Sequence, residues 1–298
     1  MQKQFRDAPW FWGFATLHLI FWTALPTFLR YTLPLDAMEG TTWGRQLAWG
    51  YDKNPFLNAW LTELGVWIGG QSGWAIYLIS QLCVVACFWA VWRLGKKFLS
   101  PVHALIAVML LEFITNYNID AIDFDDNVLQ LCFWALIIFF FYQALTHQKI
   151  RDWLLVGLFS AAAILSKYFV VVLFLTMALL ALTNREARKS FAKPGVYLAL
   201  LFFGFLILPH LIWLFHHHFM TVHYMFARTK TYTTWKAHFW NPWHFGVSYL
   251  LGFAAPFVVF LVLLFGRKKG VHISERHQLT RFQWQFLCWM ALGPFILV

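Results

Sequence analysis

Asp36 and Glu39 stand three residues apart just after Pro34, a spacing that puts both carboxylates on one face of a starting helix. Near the positive end of that helix, and partly desolvated at a membrane surface, such a carboxylate can act as a general base with its proton affinity raised toward working pH. Asp36 could equally be no more than the N-cap of the helix. Tyr51, Asp52 and Lys53 follow in a turn that ends at Asn54–Pro55. Asp120, Asp123, Asp125 and Asp126 then crowd four carboxylates into a short stretch. Such crowding calls for neutralisation, by a divalent metal on the oxygens of Asp123, Asp125 and Asp126, by Lys53 or Lys167, or by the leaving end of a bound donor. The plain alternative is a solvated acidic turn.

Lys167 interrupts an apolar stretch, followed directly by Tyr168. An ionisable residue in such a break lines a cavity and binds an anion, or it snorkels to the interface. Arg228 and Lys230 could bind phosphate. His216, His217, His218, His223, His238 and His244 show no recognised zinc-ligand spacing, and they suit contact with headgroup phosphates as well as a metal. Cys83, Cys87, Cys132 and Cys288 all lie in apolar runs and read as small buried hydrophobes.

The elements that must position these groups are membrane helices. The chain of 298 residues is 60% hydrophobic and only 12% charged, about half the charge of a soluble domain. Several apolar runs approach the roughly 20 residues needed to cross a bilayer. They are unbroken rather than alternating, which excludes a β-barrel. The expected class is an all-α polytopic membrane protein. Spans are expected at Trp10–Leu29, Gly73–Trp92, Pro101–Asn116, Val128–Leu145, Val196–Phe215 and Trp243–Phe265. Trp153–Ser166 and Phe169–Leu182 form a broken pair around Lys167, and a last run occupies Trp284–Val298. That makes about nine hydrophobic segments in one domain. Between the first two spans, residues 36–49 and 56–68 carry apolar residues at helical spacing and are rich in Trp. Two amphipathic helices lying in the membrane interface are expected there.

Charge sets the expected orientation. With residue 1 on the cytoplasmic side, sixteen of the 23 Lys and Arg fall on inside segments, as the positive-inside rule requires. The net charge of +10 is thereby accounted for without a nucleic acid. Eight of the 13 acidic residues fall outside. The loop 30–72, the acidic loop 116–127, the Lys167 break and the His-rich loop 216–242 are all expected on one external face.

Five stretches in this order resemble a known family. They are LDAME (35–39), GYDKNPFLNAW (50–60), DDNVLQLCFWAL (125–136), WLLVGLFSAAAILSKY (153–168) and LPHLIWLFHHHFMTVHYMFAR (208–228). Together they resemble the C-type (GT-C) membrane glycosyltransferases of the dolichyl-phosphate-mannose protein mannosyltransferase superfamily, family 39. The bacterial branch that transfers aminoarabinose or galacturonic acid onto lipopolysaccharide is the most similar. The resemblance implies a GT-C helical bundle in the inner membrane. It also implies inverting transfer from a polyprenyl-phosphate-linked sugar to a hydroxyl of a glycolipid or other envelope glycan, on the periplasmic face, with no nucleotide and no required cofactor.

Asp36 matches the family's catalytic acid and Glu39 its companion, while Lys53, Lys167 and Arg228 would hold the donor phosphate. Tyr51, Asp52, Asp125, Asp126 and Tyr168 would position donor or acceptor. Three departures stand out: Ala37 replaces the second acid of the opening motif, Pro55 is single where relatives often carry two prolines, and the chain stops within a span. Relatives run on through further spans and a C-terminal external domain, so a truncated chain is expected. The rival readings are a non-catalytic relative that binds lipid-linked sugar, a protein O-mannosyltransferase, and a lipid or solute transporter.

Overall fold

The computed structural model describes residues 7–229, 234–265 and 279–297. The described residues are helical, without strands. In chain order the helices are α1 (Ala8–Leu29), α2 (Leu35–Gly44), α3 (Leu57–Gly69), α4 (Trp74–Gly95), α5 (Pro101–Met109), α6 (Asp126–His147) and α7 (Ile150–Ser166). They continue with α8 (Val171–Thr183), α9 (Arg185–Lys189), α10 (Pro194–His216), α11 (Met220–Thr229), α12 (Trp235–Gly252), α13 (Ala254–Phe265) and α14 (Arg281–Leu297).

Four helices, α1, α4, α6 and α10, are long and apolar enough to cross a membrane, or up to seven spans if each of three bent pairs is counted as one. Half of the apolar window of α4 and of α6 is buried, against 17% for α1 and α10. The first two therefore form the centre of the bundle. The outer two turn residues such as Leu17, Ile20, Leu201 and Phe205 outward, where lipid is the solvent that such side chains need. One apolar core gathers Phe11, Phe88, Phe124 and Leu129, and a second gathers Phe141, Trp153 and Phe286. Small residues set the closest approaches. A Cβ on Gly157 would stand 2.6 Å from the Ala199 carbonyl oxygen, so glycine is what lets α7 lie against α10.

Several expected boundaries move. The run 101–116 is not one straight span. Helix α5 is nine residues long, about 13 Å, and Pro101–Phe113 meets Thr115–Ile122 at 96°. Hydropathy treats Glu112 as one charge in an apolar run. In the fold its carboxylate bonds the His18 ring (2.8 Å) and the Trp22 indole N–H (2.6 Å), and the Asn118 amide donates to its carbonyl (2.6 Å). The chain bends so that these bonds form. The helix expected over 36–49 stops at Gly44, because Gln46 and Leu47 turn back onto Trp43 and Gly44 and Leu47 takes a φ of +46°.

The broken pair around Lys167 is present, with α7 starting at Ile150 and reaching 17 residues, about 25 Å. The stretch 216–242 is largely helical, holding α11 and the start of α12. Helix α12 begins at Trp235, ahead of the span expected from Trp243, and Phe239–Gly252 meets Ala254–Val262 at 42°. Residues 1–6 and 266–278, with their share of the basic residues counted above, and Lys230, lie outside the described residues, as does the side chain of His238.

Candidate active site

Helix α2 has an unusual start. Its N-cap position is Pro34, which offers no side-chain acceptor. The carboxylate of Asp123 fills that role from another part of the chain, accepting from the Ala37 N–H at 2.9 Å and the Asp36 N–H at 3.4 Å. Burial pushes the Asp123 carboxyl above the usual carboxylate range, against the pull of those two N–H donors. Asp36 is therefore not the cap. Its exposed side chain makes no ion pair or hydrogen bond among the described residues.

That side chain lines a polar cavity of about 370 Å³. Around it stand Glu39 and Trp43 from α2, Lys53, Asn54 and Asn58 from the turn and α3, and Asp125, Asp126 and Asn127 at the start of α6. Lys167 from the α7–α8 break and Tyr224 and Arg228 from α11 close it. The two carboxylates read as catalytic and the three cations read as phosphate ligands thus share one space, with Asp125 and Asp126.

Within the cavity the charges are already sorted. Lys53 forms an ion pair with Glu39, which raises its proton affinity further, and its ammonium lies 5.6 Å from the centre of the Trp43 ring. Asp126 accepts from the Asn54 amide at 2.8 Å. Asp125 caps α6 by accepting from the Val128 N–H at 3.0 Å, and burial raises its proton affinity. Lys167 donates to the Asn127 amide oxygen at 2.6 Å and forms no ion pair among the described residues, with the Asp125 and Asp126 carboxyls in its field from farther off. Arg228 is exposed and makes no ion pair among the described residues. The cations without an anionic partner are therefore Lys167 and Arg228.

The remaining expected residues lie outside the cavity lining. Tyr51 is buried, stacks on Trp43 at 5.3 Å between ring centres and donates its hydroxyl to the Trp43 carbonyl at 2.8 Å. Its carbonyl accepts from the Thr221 hydroxyl, so it ties the Lys53 turn to α11. Asp52 is exposed, outside the lining. The Tyr168 hydroxyl meets His210 Nε2 at 2.7 Å, and His210 Nδ1 meets the Trp49 carbonyl at 2.6 Å. A carbonyl only accepts, so Nδ1 carries the proton and Nε2 accepts from Tyr168. His210 thereby clamps the residue after Lys167 to the first loop.

Asp123, Asp125 and Asp126 are each drawn to a different donor. No group of three His, Cys, Asp or Glu among the described residues is arranged to hold a metal ion. Of the three carboxylates weighed as one possible ion site, Asp123 and Asp125 cap two separate helices and Asp126 accepts from Asn54. Trp43, Asn54, Asn58, Asn127, Tyr224 and His210 were not singled out as site residues. The nearest signals were their places beside Lys53, in the acidic run and in the 208–228 motif.

A second, mostly apolar groove of about 680 Å³ runs along α4 and α6 past Leu94, Leu131, Trp134 and Ile138. It ends on Asn127 and Lys167, the same pair that lines the charged cavity.

A family model described as dolichyl-phosphate-mannose-protein mannosyltransferase matches residues 53–213, just over half of the chain. The match includes Lys53, Asp125, Asp126 and Lys167 and leaves Asp36, Glu39 and Arg228 outside. The chain is 22% identical, over 98% of its length, to the lipopolysaccharide core galacturonosyltransferase RgtB of Rhizobium johnstonii. It is 23% identical, over 62% of its length, to RgtA of the same organism, which carries the same description. These alignments cover 60% and 38% of the two relatives. No solved structure matches. The extent of the family match, on a bundle of apolar helices, places this chain in the dolichyl-phosphate-mannose-protein mannosyltransferase family.

Proposed function

We propose that the protein is a membrane glycosyltransferase that moves a sugar from a polyprenyl-phosphate donor to a hydroxyl of lipopolysaccharide or another envelope glycan, on the external face of the inner membrane. The observation that carries this reading is the junction at Lys167, where an apolar groove meets a charged cavity holding the unpaired Asp36 carboxylate. A lipid tail fits the groove, and its first ionic group then arrives beside an ammonium that has no ion-pair partner among the described residues.

In this scheme Asp36 takes the proton of the acceptor hydroxyl. The oxygen attacks the anomeric carbon from the face opposite the phosphate, and the bond from that carbon to the phosphate oxygen breaks with inversion. The polyprenyl phosphate leaves with the bonding electrons, and Lys167 and Arg228 stabilise the charge that grows on it. Lys53 joins them where phosphate displaces Glu39. Asn54, Asp125 and Asp126 offer acceptors and donors for sugar hydroxyls. The uronic acid named for the relatives is one sugar to test.

Asp36→Asn is expected to lower transfer by about two to four orders of magnitude, the usual worth of a general base, while leaving thermal unfolding in detergent unchanged. The assay is transfer of a radiolabelled sugar from polyprenyl phosphate to purified lipopolysaccharide in proteoliposomes. Wild-type rates in that variant would remove Asp36 from the mechanism.

A further inference from the structure

A third cavity, of about 270 Å³, lies at the far end of α7 from Lys167. Trp153 lines it, and the fourteen residues between the two positions correspond to about 21 Å along the helix. Its walls are apolar side chains of α6, α7, α8 and α10, among them Val156, Phe174 and Leu200.

Two observations define what it would hold. The first is the rim. Ala187 and Ser190 line the cavity, so the turn that carries Arg185, Arg188 and Lys193 forms its edge. These three side chains are exposed and have no ion-pair partner among the described residues, whereas Lys189 is occupied by Glu186 at 2.9 Å. The second is a tie that adds to this charge. The Gln148 amide donates to the Ser190 hydroxyl at 2.6 Å and brings the turn of Lys149 and Arg151 beside the same edge.

We propose that this groove binds an anionic diacyl phospholipid. One acyl chain fills the apolar cavity, and the headgroup phosphate rests among Arg185, Arg188 and Lys193. A zwitterionic lipid with the same chains would satisfy the cavity and leave the basic edge uncompensated, which is why the charge of the headgroup decides the occupant.

The test is native mass spectrometry of the full chain, stripped of lipid in detergent and offered phosphatidylglycerol or phosphatidylcholine with identical chains. One phosphatidylglycerol should be retained in preference, by about fivefold for each basic side chain engaged. The triple variant Arg185→Ala, Arg188→Ala, Lys193→Ala should lose most of the preference, with Lys149 and Arg151 keeping a remainder, and still bind phosphatidylcholine. Ala178→Phe, which fills the groove from an exposed wall position, should lose both lipids. Equal retention of the two lipids by the wild type, or a preference undiminished in the triple variant, would overturn the proposal. So would a dimer that Ala178→Phe abolishes, since a second copy of the chain would then be the occupant. The triple variant changes only exposed side chains, so it remains decisive if Ala178→Phe fails to fold.

Discussion

Asp123→Ala removes the cap of α2 without touching the cavity lining. The helix is ten residues long, about 15 Å, and its first turn carries Asp36. Two of its N-terminal N–H groups are satisfied by the Asp123 carboxylate. Losing a capping side chain costs about 1 kcal/mol and up to about 2. The upper figure suits a half-buried carboxylate, whose hydrogen bonds are charge-assisted. At about 1.4 kcal/mol per factor of ten, the ordered first turn should become roughly 10 to 30 times less populated relative to a frayed one. Because so short a helix is only marginally ordered by itself, transfer at saturating donor should fall by up to that factor. Donor affinity should hold, because Lys167 and Arg228 sit on other elements. Asp123→Asn keeps an acceptor oxygen and should lose less. Single-turnover transfer measured beside donor binding reads both quantities. A rate within twofold of wild type in Asp123→Ala would refute the reasoning, as would a loss confined to donor binding.

Other expectations follow from single contacts. Lys167→Met should reduce transfer by about 10²–10³-fold, the worth of one charge-stabilising donor in a dry site. Single-turnover rates check this, and a loss below threefold would remove Lys167 from phosphate stabilisation. Glu112→Ala strands the Trp22 indole and one His18 nitrogen and should destabilise the fold by about 2–4 kcal/mol. Thermal unfolding in detergent reads that loss, and Glu112→Gln should recover part of it. For Asp125 the folded carboxyl is held above its ordinary value of 3.8 by burial. Its contribution to stability is thus full below 3.8 and is lost as pH rises through the folded value. Asp125→Asn keeps a capping oxygen without the buried charge. It should melt higher than wild type at pH 7, by a margin that shrinks as pH falls toward 4.

The charged half of the site was legible in the sequence, and the neutral half was not. Asp36 and Glu39 declare themselves by helical spacing, and Lys167 by interrupting an apolar run. Both signals survive because charge is rare in this chain. Asn54, Asn58 and Asn127 carry no such contrast, yet their amides hold Asp126 and Lys167 in place or complete the wall. The pairing of Asp123 with the start of α2 spans 86 residues, beyond the reach of any local pattern, so Asp36 looked like a candidate cap. The central spans were read from hydropathy alone, within a few residues. The stretch 101–122 was not, because hydropathy cannot register that the carboxylate of Glu112 finds donors on α1 and bends the chain to meet them.

The long reach of the Asp123 cap bears on biogenesis. A ribosome delivers residues 35–44 long before residue 123. During that interval the segment bearing Asp36 has its two N–H groups unmet by protein, and water or lipid headgroups must serve them. The helix is completed when α4 has inserted and the acidic segment has emerged behind it. Assembly of the candidate site is therefore tied to the order of membrane insertion, and a nascent chain arrested before residue 123 holds the Asp36 carboxylate in an unfinished setting.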